Sequence, residues 1–263
     1  MRLAASNIAW PAERDEATYA LLAELGFTGL EIAPSRLFGP APYERLDEAS
    51  AWAEDLRERH GLSVPSMQSI WYGRTEEVFG DAEGRAALAA YTREAILFAE
   101  AVGCGNLVFG CPRNRRVAGR DASVAVPFFR ELGDFAHEHG TVLALEANPP
   151  IYDTDFLNAT ADAIALAREV ASPGLRVNLD LGTMVENGES AAGLDLSLVN
   201  HVHVSEPHLA PVDLGPARRA LHREVADALR AAGYNGFVSL EMGGGADEGT
   251  LRSCLEHVAE VFA

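Results

Sequence analysis

Short apolar runs recur along the chain, and most are followed by a longer stretch whose apolar positions fall three and four residues apart. The first pattern predicts β-strands and the second amphipathic helices. Residues 3–8 form the first such run, and a helical pattern over 13–25 follows it until Gly26. TGLEIA (28–33) is the second strand; it carries Glu31 and is ended by Pro34. After a Pro-rich loop, a helix is predicted over 47–60, closed by Gly61. LSVPSMQSIW (62–71) is read as a third strand, a helix over 83–102 follows, and NLVFG is the fourth strand. A helix over 122–139 leads to the strand LALE, and one over 161–170 to VNLD. A weaker, Gly-broken segment over 187–198 precedes HVHV, a helix over 217–232 precedes the strand 236–241, and GGG at 243–245 leads into a closing helix. About eight alternations of this kind imply a parallel sheet with right-handed crossovers. The expected fold is an α/β (β/α)8 TIM barrel, one domain over 1–263, with a doubly wound open sheet as the alternative.

Four of the later strands share an arrangement that core packing does not explain. LALE, VNLD, HVH and FVSLE each close an apolar run with a polar side chain: Glu146, Asp180, His203 and Glu241. The position two residues earlier on each strand, Ala144, Asn178, His201 or Ser239, shares its face. In a barrel the C-terminal strand ends meet at one mouth, so four residues distant in sequence converge. An open sheet would not bring them into one pocket.

Composition narrows the chemistry. The formal charge of −18 and pI near 4.8 set the chain against phosphate backbones, so nucleic acid is not an expected partner. Cys104, Cys111 and Cys254 include no CxxC pair, which argues against a disulfide framework or zinc knuckle and for a reduced, cytoplasmic setting. No apolar run is long enough to span a bilayer, and the N-terminus lacks a signal-type apolar core. A homo-oligomer is compatible with all of this.

Two Glu, one Asp and one His supply hard oxygen donors and one imidazole. That set suits Mn²⁺ first, with Mg²⁺, Co²⁺ or Zn²⁺ also accommodated. Three carboxylates meeting in one mouth would repel one another, and a cation relieves that.

LEANPP, LDLG, HVHVSE and SLEM resemble the metal-binding strands of the xylose-isomerase-like TIM-barrel superfamily of sugar isomerases and epimerases, nearest its ketose 3-epimerase and hydroxypyruvate isomerase branch. The resemblance covers essentially the whole chain. It implies Glu146, Asp180, His203 and Glu241 as metal ligands, Glu146 and Glu241 as the acid/base pair, and a small-molecule sugar or polyol as substrate. The implied reaction is proton transfer beside a carbonyl through an enediolate: return of the proton to the other face gives an epimer, and return to the adjacent carbon an aldose–ketose isomer.

The chain departs from that branch at three places. Thr183 stands where a His is usual, Tyr152 where a second Glu is frequent, and Glu206 with His208 where an Arg is common. The substrate is therefore expected to differ from a standard ketohexose. Asn7, Gln68, Arg113 and Asn148 are further pocket candidates, and each could equally hold a strand end. The loop YGRTEEVFG reads either as a lid or as a surface connector, and the three arginines of CPRNRR as anion contacts or as solvated charge.

Three competing functions follow. A multi-zinc endonuclease of the same superfamily would need histidines around Gln68, Gly110 and Thr183. An inosose-type dehydratase shares the first proton abstraction. A non-catalytic sugar-binding or complex-forming barrel would retain the site without turnover. His201 is read as a hydrogen-bonded core residue, and His60, His137 and His139 as helix C-terminal residues that need no functional role.

Overall fold

The computed structural model describes residues 1–263. Its elements run in the order β1 (Arg2–Ser6), α1 (Asp15–Glu24), β2 (Gly29–Glu31), α2 (Pro34–Phe38), α3 (Leu46–His60), α4 (Ala82–Val102) and β3 (Leu107–Phe109). There follow α5 (Ala125–Glu138), β4 (Leu143–Glu146), α6 (Thr160–Val170), β5 (Leu175–Asp180), α7 (Leu181–Asn187), β6 (Val199–Val204), α8 (Pro216–Ala231), β7 (Phe237–Leu240) and α9 (Glu248–Phe262). The seven strands form one parallel sheet in the order β2-β1-β7-β6-β5-β4-β3. The expected TIM-barrel fold is therefore found.

The third strand expected over 62–71 is reduced to single bridges, Gly29 with Ser63, Ile32 with Met67 and Met67 with Leu107. Pro65 lies inside this stretch, lacks an N–H and restricts the residue before it, so a regular ladder cannot run through. The bridges still join the two edges: Met67 N donates to Asn106 O and Gln68 N to Ile32 O, both at 2.9 Å, so the ring is closed through this segment.

The helices follow from their sequence pattern. In α4 the buried positions Leu88, Thr92, Ala95, Ile96, Ala99 and Val102 recur at three- and four-residue spacing, Asp81 caps the start by accepting from Gly84 N at 2.7 Å, and Gly103 ends it at φ 70°. Between the second strand and the Pro-rich loop LFGPAPYERL the chain forms a short helix, α2, which has Pro34 in its first turn and overlaps only the start of that loop. The predicted segment over 187–198 is replaced by α7, which starts immediately after Asp180, and a short 3-10 turn over Leu196–Leu198. One apolar cluster of 67 buried residues runs between sheet and helices, so the scaffold has a single core.

Register determines where the strand-end side chains sit. Glu146 pairs with Asn178, so Asp180 extends two residues beyond it; Asp180 pairs with His203; His203 pairs with Ser239, so Glu241 again extends two residues further. This stagger comes with the tilt of strands around a closed barrel.

Candidate active site

Glu146, Asp180, His203 and Glu241 meet at the C-terminal mouth, with the imidazole of His203 at the centre. His203 Nδ1 lies 3.1 Å from Glu146 Oε2, 3.2 Å from Glu241 Oε2 and 3.9 Å from Asp180 Oδ2. All four side chains are nearly or wholly buried. Glu146 and Glu241 stand on β4 and just beyond β7, with the strands of Asp180 and His203 between them.

Amides hold the remaining carboxylate oxygens. Asn148 Nδ2 donates to Glu146 Oε1 at 3.1 Å, Asn178 Nδ2 to Glu146 Oε2 at 2.7 Å, and Gln68 Nε2 to Glu241 Oε1 at 2.8 Å. Ser205 Oγ donates to Asp180 Oδ2, and Asp180 Oδ1 accepts from Thr183 N at 2.6 Å. Gly110 makes room for this group: a Cβ there would come within 2.9 Å of Glu146 Oε1. Larger side chains, a ligating histidine among them, are excluded from that position while Glu146 keeps its place.

Beneath the centre lies Glu31, which the sequence pattern did not bring into the site. Its Oε2 is 3.0 Å from His203 Nε2 and 2.7 Å from His201 Nε2, and it is fully buried. Burial penalises its charge, but the two imidazoles outweigh that and hold its carboxyl well below the usual range. His201 is thus a buried core residue, as expected, held against Glu31 by an ion-pair contact. Burial lowers its own pKa, against the attraction of Glu31.

The electrostatics are those of carboxylates gathered around one cationic centre. Burial opposes charge on His203, yet Glu241, Glu31 and Glu146 raise its pKa well above the ordinary value. Asp180 is pushed up to about 7 by burial and by the charges of Glu146 and Glu241. Glu241 is raised by burial, while Glu146 is lowered because hydrogen bonding and charge from His203 exceed its burial penalty. A divalent cation fits this donor set. Glu146, Asp180 and His203 each offer a ligand atom within 4.8 Å of the others, and Glu241 Oε2 borders the same imidazole nitrogen. With Nε2 facing Glu31, Nδ1 is the nitrogen available to a metal.

A cavity of about 610 Å³ opens above these groups. Of the sequence-derived candidates, Gln68, Arg113, Asn148, Tyr152 and Glu206 line it with Glu146, Asp180 and Glu241. Asn148 Oδ1 is buried without a partner. Arg113 is exposed, and Glu206 is bonded to Arg218 at 2.7 Å. Tyr152 accepts at its hydroxyl from His208 N at 2.8 Å.

Asn7, Thr183 and His208 do not line the cavity. Asn7 accepts from Ala33 N at 2.9 Å, Thr183 Oγ1 donates to Ala147 O at 2.8 Å, and His208 is exposed beside Tyr152. Each has a backbone or rim contact to satisfy it.

Of the three clustered arginines, Arg115 is fully buried and donates to Glu146 O at 2.7 Å, Arg116 pairs with Asp153 at 3.0 Å, and Arg113 alone faces the cavity. The loop after residue 70 contributes Trp71, Tyr72, Gly73, Arg74 and Thr75 to the wall, while its Val78 and Phe79 are buried in the core.

A closed parallel barrel with acids at its strand ends is matched over residues 19–260 by the model of the xylose isomerase-like TIM barrel. The chain belongs to this family. Among solved xylose isomerase-like barrels, 3-keto-D-glucoside 4-epimerase from E. coli superposes with a TM-score of 0.75 at 23% identity, covering 99% of this chain and 98% of that one. D-psicose 3-epimerase from Clostridium cellulolyticum H10 gives 0.75 at 18% identity over 100% and 99% of the two chains. An AP endonuclease, family 2, from Brucella melitensis gives 0.70 at 19% over 99% of each. These identities establish a shared fold. No curated protein matches the chain by sequence.

Proposed function

We propose that this xylose isomerase-like barrel is a divalent-metal-dependent isomerase or epimerase that moves a proton at the carbon beside the carbonyl of a sugar or keto-polyol. The observation that carries the reading is the pair Glu146 and Glu241, each with Oε2 beside His203 Nδ1 and Oε1 held by a neutral amide at the floor of one cavity. Several solved structures of similar fold are named as sugar epimerases, which agrees with it.

Glu146, Asp180, His203 and Glu241 would hold the metal, for which an oxygen-rich set with one imidazole suits Mn²⁺, Mg²⁺ or Co²⁺, with Zn²⁺ also tolerated. When bound, the cation would polarise the substrate carbonyl and stabilise the negative charge that develops there. The chain's own residues supply the rest. Glu146 removes the proton from one face and Glu241 returns it from the other, or the reverse. Asn148 and Gln68 fix the two carboxylates so that neither must reorganise as the proton moves. All 21 basic side chains counted as Lys or Arg are arginine, so an imine route through lysine is closed to this protein.

An inosose-type dehydration would begin with the same proton removal and differ in expelling a hydroxyl. A nucleolytic role has less support, because Gln68, Gly110 and Thr183 occupy the places where additional histidines would be needed.

The decisive experiment is incubation of Mn²⁺-loaded protein with a panel of ketoses and inososes in D₂O. Deuterium should enter at the carbon beside the carbonyl, and Glu146→Gln or Glu241→Gln should reduce exchange by roughly 10²–10⁴-fold. An intact metal-loaded protein that exchanges none of the panel would be a binding barrel, and the enzymatic proposal would fail.

A further inference from the structure

Only three large hydrophobic side chains are exposed in the whole molecule: Tyr72 at 70%, Ile151 at 42% and Leu209 at 38%. They lie on three different loops, after the segment 62–71, after β4 and after β6, and all three loops rise from the C-terminal mouth of the barrel. Tyr72 and Leu209 line the same cavity whose floor holds Glu146, Asp180 and Glu241, and so does Tyr152, the neighbour of Ile151. Scattered exposed apolar residues need no explanation, but their collection around one mouth does.

The rim is also held in place. Tyr152 joins the second and third loops by accepting from His208 N at 2.8 Å. His208 and Leu209 adopt φ of 60° and 54°, a left-handed conformation that disfavours side chains of their size. Leu209 O is fixed by Gly243 N at 2.8 Å. Beneath Tyr72, Trp71 is anchored by donating to Thr92 Oγ1 at 2.8 Å and by edge contact with Phe109. Three apolar groups are thus presented to solvent by a built framework.

The volume agrees. At about 610 Å³ the cavity falls in the roughly 300–1,000 Å³ range of pockets that enclose drug-sized ligands, well beyond a single sugar ring.

Accepting the reading of the floor as a sugar site, we infer that the rim of Tyr72 and Leu209 is a subsite for the apolar face of a second group joined to that sugar. The shared chemistry is that of a glycoside whose second moiety, an aryl aglycone or another pyranose ring, lies against the Tyr72 ring and the Leu209 side chain.

Calorimetry on the Mn²⁺-loaded protein tests this with methyl β-D-glucopyranoside, phenyl β-D-glucopyranoside and cellobiose. Phenyl glucoside or cellobiose should bind about fivefold to tenfold more tightly than the methyl glycoside. Preference for phenyl identifies an aglycone site, and preference for cellobiose a second sugar site. Tyr72→Ala should remove the preference, and Tyr72→Phe should keep it.

Equal affinities, no binding of any of the three, or a preference that survives Tyr72→Ala would overturn the subsite. So would loss of an oligomer on Tyr72→Ala in sedimentation without any ligand preference, which would mark the rim as a contact between copies of the chain. The two proposals fail separately. A preference without deuterium exchange leaves the subsite and removes the reaction, whereas exchange without a preference does the opposite.

Discussion

Glu31 shows how much one buried carboxylate can decide. Both neighbouring histidines approach the same oxygen, and the contact at His203 Nε2 leaves Nδ1 facing Glu146, Glu241 and Asp180. Partners on the far nitrogen of a metal-ligating imidazole typically change metal affinity 10–100-fold. Glu31→Gln should therefore weaken Mn²⁺ binding by about that factor, measured by calorimetry on folded protein. Unchanged affinity in a folded variant would reduce Glu31 to a packing residue. TGLEIA displays the acid plainly, between Leu30 and Ile32 in a run that the core buries. Its partners, however, stand on a strand three places away in the sheet and are reached across the barrel interior. No pattern along the chain expresses that distance. Asn178 and Ser205 were likewise in view, within the stretches that carry Asp180 and His203, but their hydrogen bonds depend on the stagger between strands.

At the level of elements, β5 and α7 meet in one residue. Asp180 ends the strand, joins the carboxylate cluster around His203 and caps α7 through Thr183 N. The sequence pattern offers only a weak, Gly-broken segment over 187–198, and Gly182 and Thr183 are themselves weak helix formers. The cap, together with burial of Leu181 and Met184, starts the helix earlier. Substitution can separate the two roles. Asp180→Asn keeps an N-cap acceptor and loses the carboxylate, whereas Asp180→Ala loses both. The Ala variant should be less stable than the Asn variant by about 1 kcal/mol in urea unfolding without metal, and both should bind Mn²⁺ poorly. Equal unfolding midpoints would mean that α7 does not depend on this cap. The third strand makes a similar point: an apolar run promised a strand, and Pro65 left only bridges.

For the molecule as a whole, two histidines far from the site bear on stability. His222 on α8 and His257 on α9 are buried against each other, with Nδ1 of the first 2.8 Å from Nε2 of the second. Burial, then the neighbouring His257 and Arg218, lowers His222 to about 3, and burial with Arg219 lowers His257. The folded state therefore resists protonation that the unfolded chain accepts near 6.5. Between those values the unfolded state binds more protons, so stability falls as pH falls below about 6.5 and is unaffected by this pair above it. His222→Gln should reduce the loss in urea midpoint between pH 7 and pH 4. An unchanged loss would place the acid sensitivity elsewhere.

The sequence by itself determined the alternation of strands and helices, and with it a parallel α/β fold; closure into a barrel rather than an open sheet is settled by the bridges at Ser63 and Met67. Local periodicity records which face of each element is buried, and parallel connections leave few topologies. It also determined the four polar strand ends, because an acid or imidazole closing an apolar run is visible without coordinates. Tertiary structure alone decided what surrounds them: Glu31 below, the amides of Gln68, Asn148 and Asn178 at the sides, and the apolar rim above. Those relations depend on barrel closure, strand stagger and loop conformation. Apart from Asn148, two residues beyond Glu146, they join residues far apart in the chain, where periodicity carries no information.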